Sequence, residues 1–150
     1  MKFATENDFA EITELFKKHQ KLFPHFRMGY LLRSIQQNEC IYTDGVVIIF
    51  KIHQRGIQIG NKTKSQKSDC HINQILSKYN NGSASKVLNQ FFNYICLLPY
   101  ASGIVFLNVK RENNRAKKFY ERNGMKLIDY TSWNDGKIKG DVYQKIVKDN

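Results

Sequence analysis

The alternation of apolar and polar residues predicts two helices and a β-hairpin in the first third of the chain. Apolar residues recur at helical spacing from about residue 6 to residue 20, and Thr5–Asp8 before them is typical of a capping box. Pro24 ends this pattern, and a second short helix is predicted at about 28–35. Two β-rich runs then flank Asp44-Gly45, a dipeptide that favours a tight hairpin turn.

The rest of the chain alternates between strand and helix patterns. The run "GIQIG" (56–60) predicts a further strand, and the polar, basic stretch 61–68 predicts an exposed loop. The later predicted elements are, in order, a strand at 69–77, a helix at 83–98, a nearly all-apolar strand at 103–109, a helix within 113–124 and a terminal hairpin. This order predicts a mixed α/β fold with a largely antiparallel central sheet flanked by helices, in a single domain spanning residues 1–150.

The balance of charge bears on the partners of the chain. It has 24 Lys and Arg against 13 Asp and Glu, a formal net charge of +11. Such an excess favours a polyanionic partner, such as nucleic acid, a phosphorylated cofactor or an anionic surface. A solvated basic surface without a specific partner is the alternative.

Membrane, secretory and metal-binding functions are not predicted. The N-terminal stretch is acidic and lacks the apolar core of a secretory signal, and the longest apolar stretch is interrupted by polar residues and Pro99. The sequence therefore predicts a cytoplasmic protein without a membrane partner. Cys40, Cys70 and Cys96 are widely spaced and have no His at metal-ligand spacing, so no metal site is expected.

The segment "NNRAKKFYERNG" (113–124) predicts a short amphipathic helix. Ala116, Phe119 and Tyr120 share one face at i, i+3 and i+4, and either Asn113 or Asn114 can cap the first backbone amides. Gly124 can end the helix in the left-handed conformation. Taken alone, this pattern also fits a plain amphipathic helix in which Tyr120 is a core aromatic residue.

With the strand before it, this segment resembles the signature of the GCN5-related N-acetyltransferase (GNAT) superfamily, V-x-x-x-N-x-x-A-x-x-F-Y-E-x-x-G. The matching residues are Val109, Asn113, Ala116, Phe119, Tyr120, Glu121 and Gly124. Met125 follows the glycine where the family usually has Phe, and the order of elements along nearly the whole chain is similar to that family. The resemblance implies a GNAT-like fold and an acyl-CoA-dependent N-acyltransferase, most commonly using acetyl-CoA and transferring the acyl group directly to an amine.

The resemblance also implies roles for residues at the cofactor. In the family, the signature tyrosine commonly lies beside the thioester sulfur and protonates the departing thiolate, a role that falls here to Tyr120. The signature asparagine, here Asn113, commonly touches the cofactor. The turn "KYNNGSAS" is similar to the family's Q/R-x-x-G-x-G/A phosphate loop, which implies a cofactor-binding set of Asn81, Gly82, Ser83, Ala84 and Ser85. Tyr79 stands where Gln or Arg is usual, and the loop is a residue or two shorter.

On the acceptor side, the family's pocket is shaped by the region between the first two helices. This implies His25, Arg27 and Tyr30 as substrate-binding candidates. His71, on the strand before the phosphate loop, is a further substrate-side candidate, because imidazole has an ordinary pKa suited to proton exchange with an amine. Ordinary packing would account for His25, Arg27 and Tyr30 at least as well, and an ordinary core or surface histidine is the favoured interpretation of His71.

Two other functions remain open. The charge and the basic loop 61–68 motivate a nucleic-acid acceptor, either a DNA base or the amino acid carried on tRNA. The short phosphate loop motivates a non-catalytic binding module that keeps the fold, although the presence of both Asn113 and Tyr120 argues against it. The acceptor, the acyl group and the oligomeric state are not determined by the sequence.

Overall fold

The computed structural model describes residues 1–148, and within them the predicted order of helices and strands is confirmed with one exception. The elements are a 3₁₀ turn at Glu6–Asp8, α1 (Phe9–Lys18), α2 (Met28–Gln36), β1 (Cys40–Thr43), β2 (Val46–Ile52), β3 (Cys70–Ser77), α3 (Ser83–Leu97), β4 (Ile104–Lys110), α4 (Asn114–Arg122), β5 (Lys126–Trp133) and β6 (Ile138–Ile146). None of the helices in this part of the chain is both long and apolar enough to cross a bilayer.

The strand predicted at 56–60 is wrong. Gln58 forms only an isolated antiparallel bridge with Lys64. The amides of Ile59 and Gly60 both donate to the carbonyl oxygen of Thr63, so the chain turns back instead of extending. A Cβ on Gly60 would also collide with the carboxylate of Asp129. Gly60 therefore allows its backbone to lie close to the Asp129 side chain, and such close contacts are a common reason for glycine in a β-rich run.

The strands form one mixed sheet in the order β1-β2-β3-β4-β6-β5. β1 pairs with β2 antiparallel around Asp44-Gly45, whose φ angles of +51° and +75° fit the type I′ turn that this dipeptide favours. β6 pairs antiparallel with both β4 and β5, whereas β3 and β4 are parallel. The predicted mixed fold with a largely antiparallel sheet flanked by helices is therefore confirmed.

The described chain divides into two compact units. The first holds Met1–Phe50 and Gln74–Gln90, and its core packs α1 and α2 residues such as Phe16 and Leu31 with Ile49 of β2. The second holds Lys51–Asn73 and the described residues from Phe91 onward, and includes a buried cluster of Ile59, Phe106 and Val142. The single domain predicted from chain length stays a prediction.

Local chemistry explains where the elements that carry the candidate site begin. Asp8 Oδ2 accepts a 2.8 Å hydrogen bond from the Thr5 backbone amide, which confirms the predicted capping interaction before α1. In β4, Val105, Phe106 and Leu107 are buried in succession, which confirms a strand covered on both faces. The chain then leaves the sheet and enters α4, the helix that contains the signature residues.

Candidate active site

The signature helix α4 begins with an asparagine cap. Asn113 Oδ1 accepts a hydrogen bond from the Ala116 backbone amide at 3.2 Å, so Asn113, of the two candidates, is the N-cap. The backbone amide of Asn113 in turn donates to the Lys110 carbonyl oxygen at 2.9 Å. Among the described residues, Asn113 Nδ2 has no hydrogen-bond partner, so this amide nitrogen is available to a ligand.

The same helix ends at a glycine that has two functions. Gly124 has a φ of +85°, and the Met125 amide beyond it donates to the Tyr120 carbonyl oxygen at 3.0 Å, closing the last turn. Lys145 Nζ lies against Gly124 and donates to the Asn123 carbonyl oxygen at 3.0 Å. A Cβ on Gly124 would displace that ammonium group, so the glycine ends the helix through its backbone conformation and also leaves room for Lys145.

Tyr120 is the buried residue of α4. Its side chain is 8% exposed, with the Phe119 ring 5.6 Å and the Tyr143 ring 6.1 Å away between centroids. Burial raises the pKa of Tyr120 well above that of an ordinary tyrosine, so its hydroxyl stays protonated at neutral pH. Within the part of the chain that the structure describes, this hydroxyl makes no hydrogen bond. The Tyr120 hydroxyl is therefore a protonated hydrogen-bond donor that is not already bonded to another described side chain.

A buried carboxylate fixes the turn before α4. Asp141 on β6 is 1% exposed, and it pairs with Arg111 Nε at 2.9 Å and Lys117 Nζ at 2.7 Å. Burial alone would raise the pKa of Asp141, but its hydrogen bonds with Lys117 and Arg111 outweigh this and lower it. The amphipathic pattern of α4 places Lys117 on its polar face, but the ion pair with Asp141 draws the Lys117 side chain inward to 20% exposure.

The predicted phosphate loop lies in the first unit. Gly82 has a φ of +86°, and a Cβ there would meet no atom within 4 Å, so the backbone at this position is open to a ligand. Asn81 Oδ1 accepts hydrogen bonds from the Ser83 amide at 3.2 Å and from Ser83 Oγ at 2.6 Å. α3 begins at Ser83, so the loop ends at the N-terminus of a 15-residue helix, as the predicted phosphate loop requires.

Two lysines beside this loop are paired with acids. Lys78 Nζ lies 3.3 Å from Glu11 Oε1, a hydrogen bond that raises the pKa of Lys78, and Lys86 Nζ lies 3.5 Å from Asp44 Oδ2. Tyr79, at the position where the family has Gln or Arg, lies against Gly45 in the hairpin turn. Loop and hairpin turn are also joined by a 2.8 Å hydrogen bond from the Lys78 amide to the Gly45 carbonyl oxygen.

A surface cleft of about 420 Å³ lies between this hairpin turn and α1. It is lined by Lys2, by the carboxylates of Asp8, Glu11 and Asp44, and by the rings of Tyr42 and Tyr79. Three carboxylates against one lysine in the lining disfavour a phosphate group. We therefore place the anion-binding candidate at the N-terminus of α3 and not in this cleft.

The acceptor-side candidates belong to different units. His25 and Arg27 are exposed on the connection between α1 and α2, and Tyr30 on α2 packs against the first unit's core. His71 lies on β3 in the second unit, where its Nε2 is buried without a hydrogen-bond partner among residues 1–148. Burial, together with neighbouring His53, lowers the pKa of His71 to about 4, so His71 is neutral at physiological pH.

The structure brings together some of the predicted site residues and adds others. Asn113 caps α4 and Tyr120 lies within it, while Asn81, Gly82, Ser83, Ala84 and Ser85 form one continuous loop and helix start. Sequence reasoning missed the contribution of β6, which supplies Asp141, Tyr143 and Lys145 to α4. The alternation of these residues on a predicted strand places all three on one face, but it does not show that this face lies against α4.

The parallel ladder of β3 and β4 is short. It joins Cys70–Ile72 to Val105–Leu107, so Asn73 and Asn108 are the first residues beyond it in the second unit.

The three cysteines are free thiols, and no cluster of three or more His, Cys, Asp and Glu side chains suited to a metal ion occurs between residues 1 and 148.

Solved structures of acetyltransferases have the same fold. Ard1 from Thermoplasma volcanium aligns with a TM-score of 0.71 and 12% sequence identity over 97% of this chain and 95% of that chain. Arabidopsis thaliana NAA60 in complex with acetyl-CoA aligns with a TM-score of 0.69 and 14% identity over 95% of each chain. A GNAT family acetyltransferase from Bacillus cereus aligns with a TM-score of 0.67 and 14% identity over 96% of this chain and 94% of that chain.

No protein-family model and no curated protein sequence matches this chain. At such low identities the structural alignments carry the fold and not the activity. Met125, which follows the glycine at the end of α4, is 2% exposed, as an apolar residue at this position should be. The chain therefore has the fold of the GNAT acetyltransferases.

Proposed function

We propose that this chain is an acyl-CoA-dependent N-acyltransferase that uses acetyl-CoA and transfers the acyl group directly to an amine. The observation that carries the proposal is Tyr120, a buried, protonated tyrosine whose hydroxyl has no partner among the described residues. It lies on the signature helix of a fold shared with acetyltransferases, and the Arabidopsis NAA60 structure contains acetyl-CoA.

The cofactor-binding role rests on two features of the chain. The open backbone at Gly82 and the N-terminus of α3 suit a pyrophosphate, with Asn81, Ser83, Ala84 and Ser85 forming its surroundings. Asn113 contributes a free amide nitrogen at the start of α4. When bound, the cofactor supplies an acyl group activated as a thioester.

Tyr120 Oη is the proposed proton donor to the departing sulfur. Its raised pKa keeps the proton in place at neutral pH but makes tyrosine the weaker acid, since an ordinary thiol has a pKa of about 8.5. Complete proton transfer before the bond breaks would therefore be unfavourable. We infer that the hydroxyl acts by donating a hydrogen bond to sulfur as negative charge develops there.

His71 is the first of the proposed contacts for the acceptor. His71, with a pKa of about 4, is neutral and too weakly basic to deprotonate an ammonium group efficiently. Its imidazole suits a hydrogen bond to a neutral amine. His25, Arg27 and Tyr30 remain proposed contacts for the rest of the acceptor, and a cytoplasmic location without a membrane partner likewise remains a proposal.

The distribution of charge favours a second candidate function, acylation of an acceptor carried on nucleic acid. Residues 51–73 and 91–150 hold 16 Lys and Arg against 7 Asp and Glu, whereas residues 1–50 and 74–90 hold 8 against 6. The positive charge is thus concentrated in the second unit. A polyanion would be attracted to that unit, whereas a cationic peptide would be repelled.

The basic loop 61–68 has a fixed backbone in this unit. Asp129 accepts a 2.9 Å hydrogen bond from the Lys62 amide, and the Asn61 amide donates to the Tyr130 carbonyl oxygen at 2.7 Å. Ser65 is buried, whereas Lys62, Lys64 and Lys67 are exposed. Three lysines held in this way suit phosphate contacts.

Mass spectrometry tests the proposed function. The purified protein is incubated with acetyl-CoA and a panel of small amines, peptides, tRNA and DNA. Acetylation of one class with release of CoA is the expected result. Acetyl-CoA binding without transfer to any member of the panel would favour the non-catalytic binding module instead.

A further inference from the structure

One face of β6 holds α4 at three successive points. Alternate residues of a strand share a face, so Asp141, Tyr143 and Lys145 project together. Each bonds to a different part of α4 or its C-cap: Asp141 to Lys117 Nζ at 2.7 Å, Tyr143 to Glu121 Oε1 at 2.8 Å, and Lys145 to the Asn123 carbonyl oxygen at 3.0 Å. The polar side chains of β6 therefore fix the helix from its first turn to its end.

The middle contact is a charge-assisted hydrogen bond. Tyr143 is fully buried, and burial, followed by the nearby Glu121 carboxylate, raises the pKa of Tyr143. Its hydroxyl therefore remains protonated and donates to an ionised acceptor, which makes the bond stronger than one between neutral groups. Glu121 itself is exposed, so its carboxylate can accept this hydrogen bond without the free-energy cost of burying its charge.

The Tyr143–Glu121 contact lies directly beside Tyr120. The Tyr120 hydroxyl has no hydrogen bond to a described residue, so its position is set by the placement of α4 and by ring packing. Tyr143 contributes to both, because its ring lies 6.1 Å from the Tyr120 ring and its hydroxyl holds the next residue, Glu121.

We propose that Tyr143 is a positioning residue that acts through Glu121 to place the Tyr120 hydroxyl. This inference rests on the proposed function, in which the Tyr120 hydroxyl donates a hydrogen bond to the cofactor sulfur. A displacement of about 1 Å at a reacting group can reduce a rate by about 100-fold, so a hydroxyl held only by packing benefits from such support.

The test uses CoA itself, so no acceptor needs to be known. Calorimetry first measures CoA binding to the wild type and to Tyr120→Phe, Tyr143→Phe and the double variant. Thiolate absorbance, in difference spectra against a CoA analogue lacking sulfur, then gives the pKa of the bound thiol. A hydrogen bond from Tyr120 to sulfur stabilises the thiolate, so this pKa should be lowest in the wild type and highest in Tyr120→Phe.

Tyr143→Phe should give an intermediate thiol pKa with a CoA affinity within about twofold of the wild type. In the Tyr120→Phe background the same change should have no effect. Glu121→Gln keeps an acceptor oxygen for Tyr143, so the pKa of the bound thiol should stay close to the wild-type value. Glu121→Ala removes the acceptor and should give the same thiol pKa as Tyr143→Phe.

Two results overturn the positioning role alone: a wild-type thiol pKa in Tyr143→Phe, or an equal shift from Tyr143→Phe with and without Tyr120. The second would mean that the contact supports the fold and not the hydroxyl. Absence of CoA binding to the folded wild type would instead overturn the proposed function, and this inference with it.

Discussion

Asn113 Oδ1 accepts a 3.2 Å hydrogen bond from the Ala116 amide, so one half of this side-chain amide caps α4 and the other half faces away from the cap. A signature residue assigned to the cofactor therefore also has a structural function. The two functions use different atoms, Oδ1 for the helix and Nδ2 for a ligand. They can be separated by substitution.

Asn113→Ser keeps a capping oxygen and removes Nδ2, whereas Asn113→Ala removes both. We expect the alanine variant to lose about 1 kcal/mol of unfolding free energy and the serine variant to lose less than about 0.5 kcal/mol. Both variants should bind acetyl-CoA more weakly than the wild type, to a similar extent. Urea unfolding and calorimetric titration measure the two effects. Full acetyl-CoA affinity in Asn113→Ser would restrict Asn113 to the cap.

Substitution of Gly82 tests the phosphate loop. Asp and Asn have nearly the same shape, both tolerate a positive φ, and a Cβ at this position meets no neighbour. Gly82→Asp should abolish measurable CoA binding through repulsion of the phosphates, and Gly82→Asn should bind more tightly than Gly82→Asp. Equal affinities in the two variants, with both folded, would place the phosphates elsewhere.

The Asp141 ion pairs predict a pH dependence of stability. Because the folded-state pKa of Asp141 is lowered, its contribution is present above the ordinary carboxyl pKa of about 3.9 and is lost as pH falls through the folded-state value. Asp141→Asn should lower the unfolding free energy by about 1–3 kcal/mol at pH 7, since it leaves two cations without their partner. The difference from the wild type should narrow below pH ~4.

Asp135→Asn is the matched control for this substitution. It makes the same change of charge on the exposed β5–β6 turn, where a φ of +55° suits Asn as well as Asp. Urea unfolding compares the wild type, Asp141→Asn and Asp135→Asn between pH 3 and pH 7. This range runs from about one unit below the ordinary carboxyl pKa to neutrality. A stability difference for Asp141→Asn that is independent of pH would contradict the assigned ion pairing.

The elements that could be predicted from the sequence are those specified by their own residues. The Asp44-Gly45 turn, the buried run of β4 and the glycine end of α4 each follow from local chemistry, and the structure agrees with all three. The wrong strand at 56–60 has a distant cause, because the backbone of Gly60 packs against Asp129. The inward position of Lys117 likewise depends on Asp141, and neither partner is visible in the local pattern.

The candidate site shows the same limit. Spacing along α4 pointed to Asn113 and Tyr120, but it offered two possible caps, and only the fold identifies Asn113 as the one used. The support of α4 by β6 depends on which strand lies beside the helix, and a single sequence does not reveal that pairing. The catalytic and binding roles of these residues stay predictions.

Charge reversal of the basic loop tests the nucleic-acid alternative. The triple variant Lys62→Glu, Lys64→Glu and Lys67→Glu should bind tRNA or DNA more weakly than the wild type. Its binding should also depend less on salt, because fewer phosphate contacts release fewer counterions. Anisotropy titrations at low and moderate salt measure both quantities.

The control for this prediction is charge reversal at Lys17, Lys18 and Lys21, which are exposed residues of the first unit. It changes the net charge by the same amount and should affect nucleic-acid binding much less. Equal effects of the two triple variants would mean that the loop has no special part in binding. No binding at low salt would remove nucleic acid as a partner.

The central claim is that Tyr120 supports acyl transfer from acetyl-CoA to an amine. The most direct measurement is the rate at which labelled acetyl groups move from acetyl-CoA to the acceptor class found by mass spectrometry, in the wild type and in Tyr120→Phe. We predict transfer by the wild type, a fall in kcat of about 100-fold or more in Tyr120→Phe, and an acetyl-CoA Kd within about twofold of the wild type. Equal kcat values in the two proteins would contradict the account and reduce Tyr120 to a core aromatic residue.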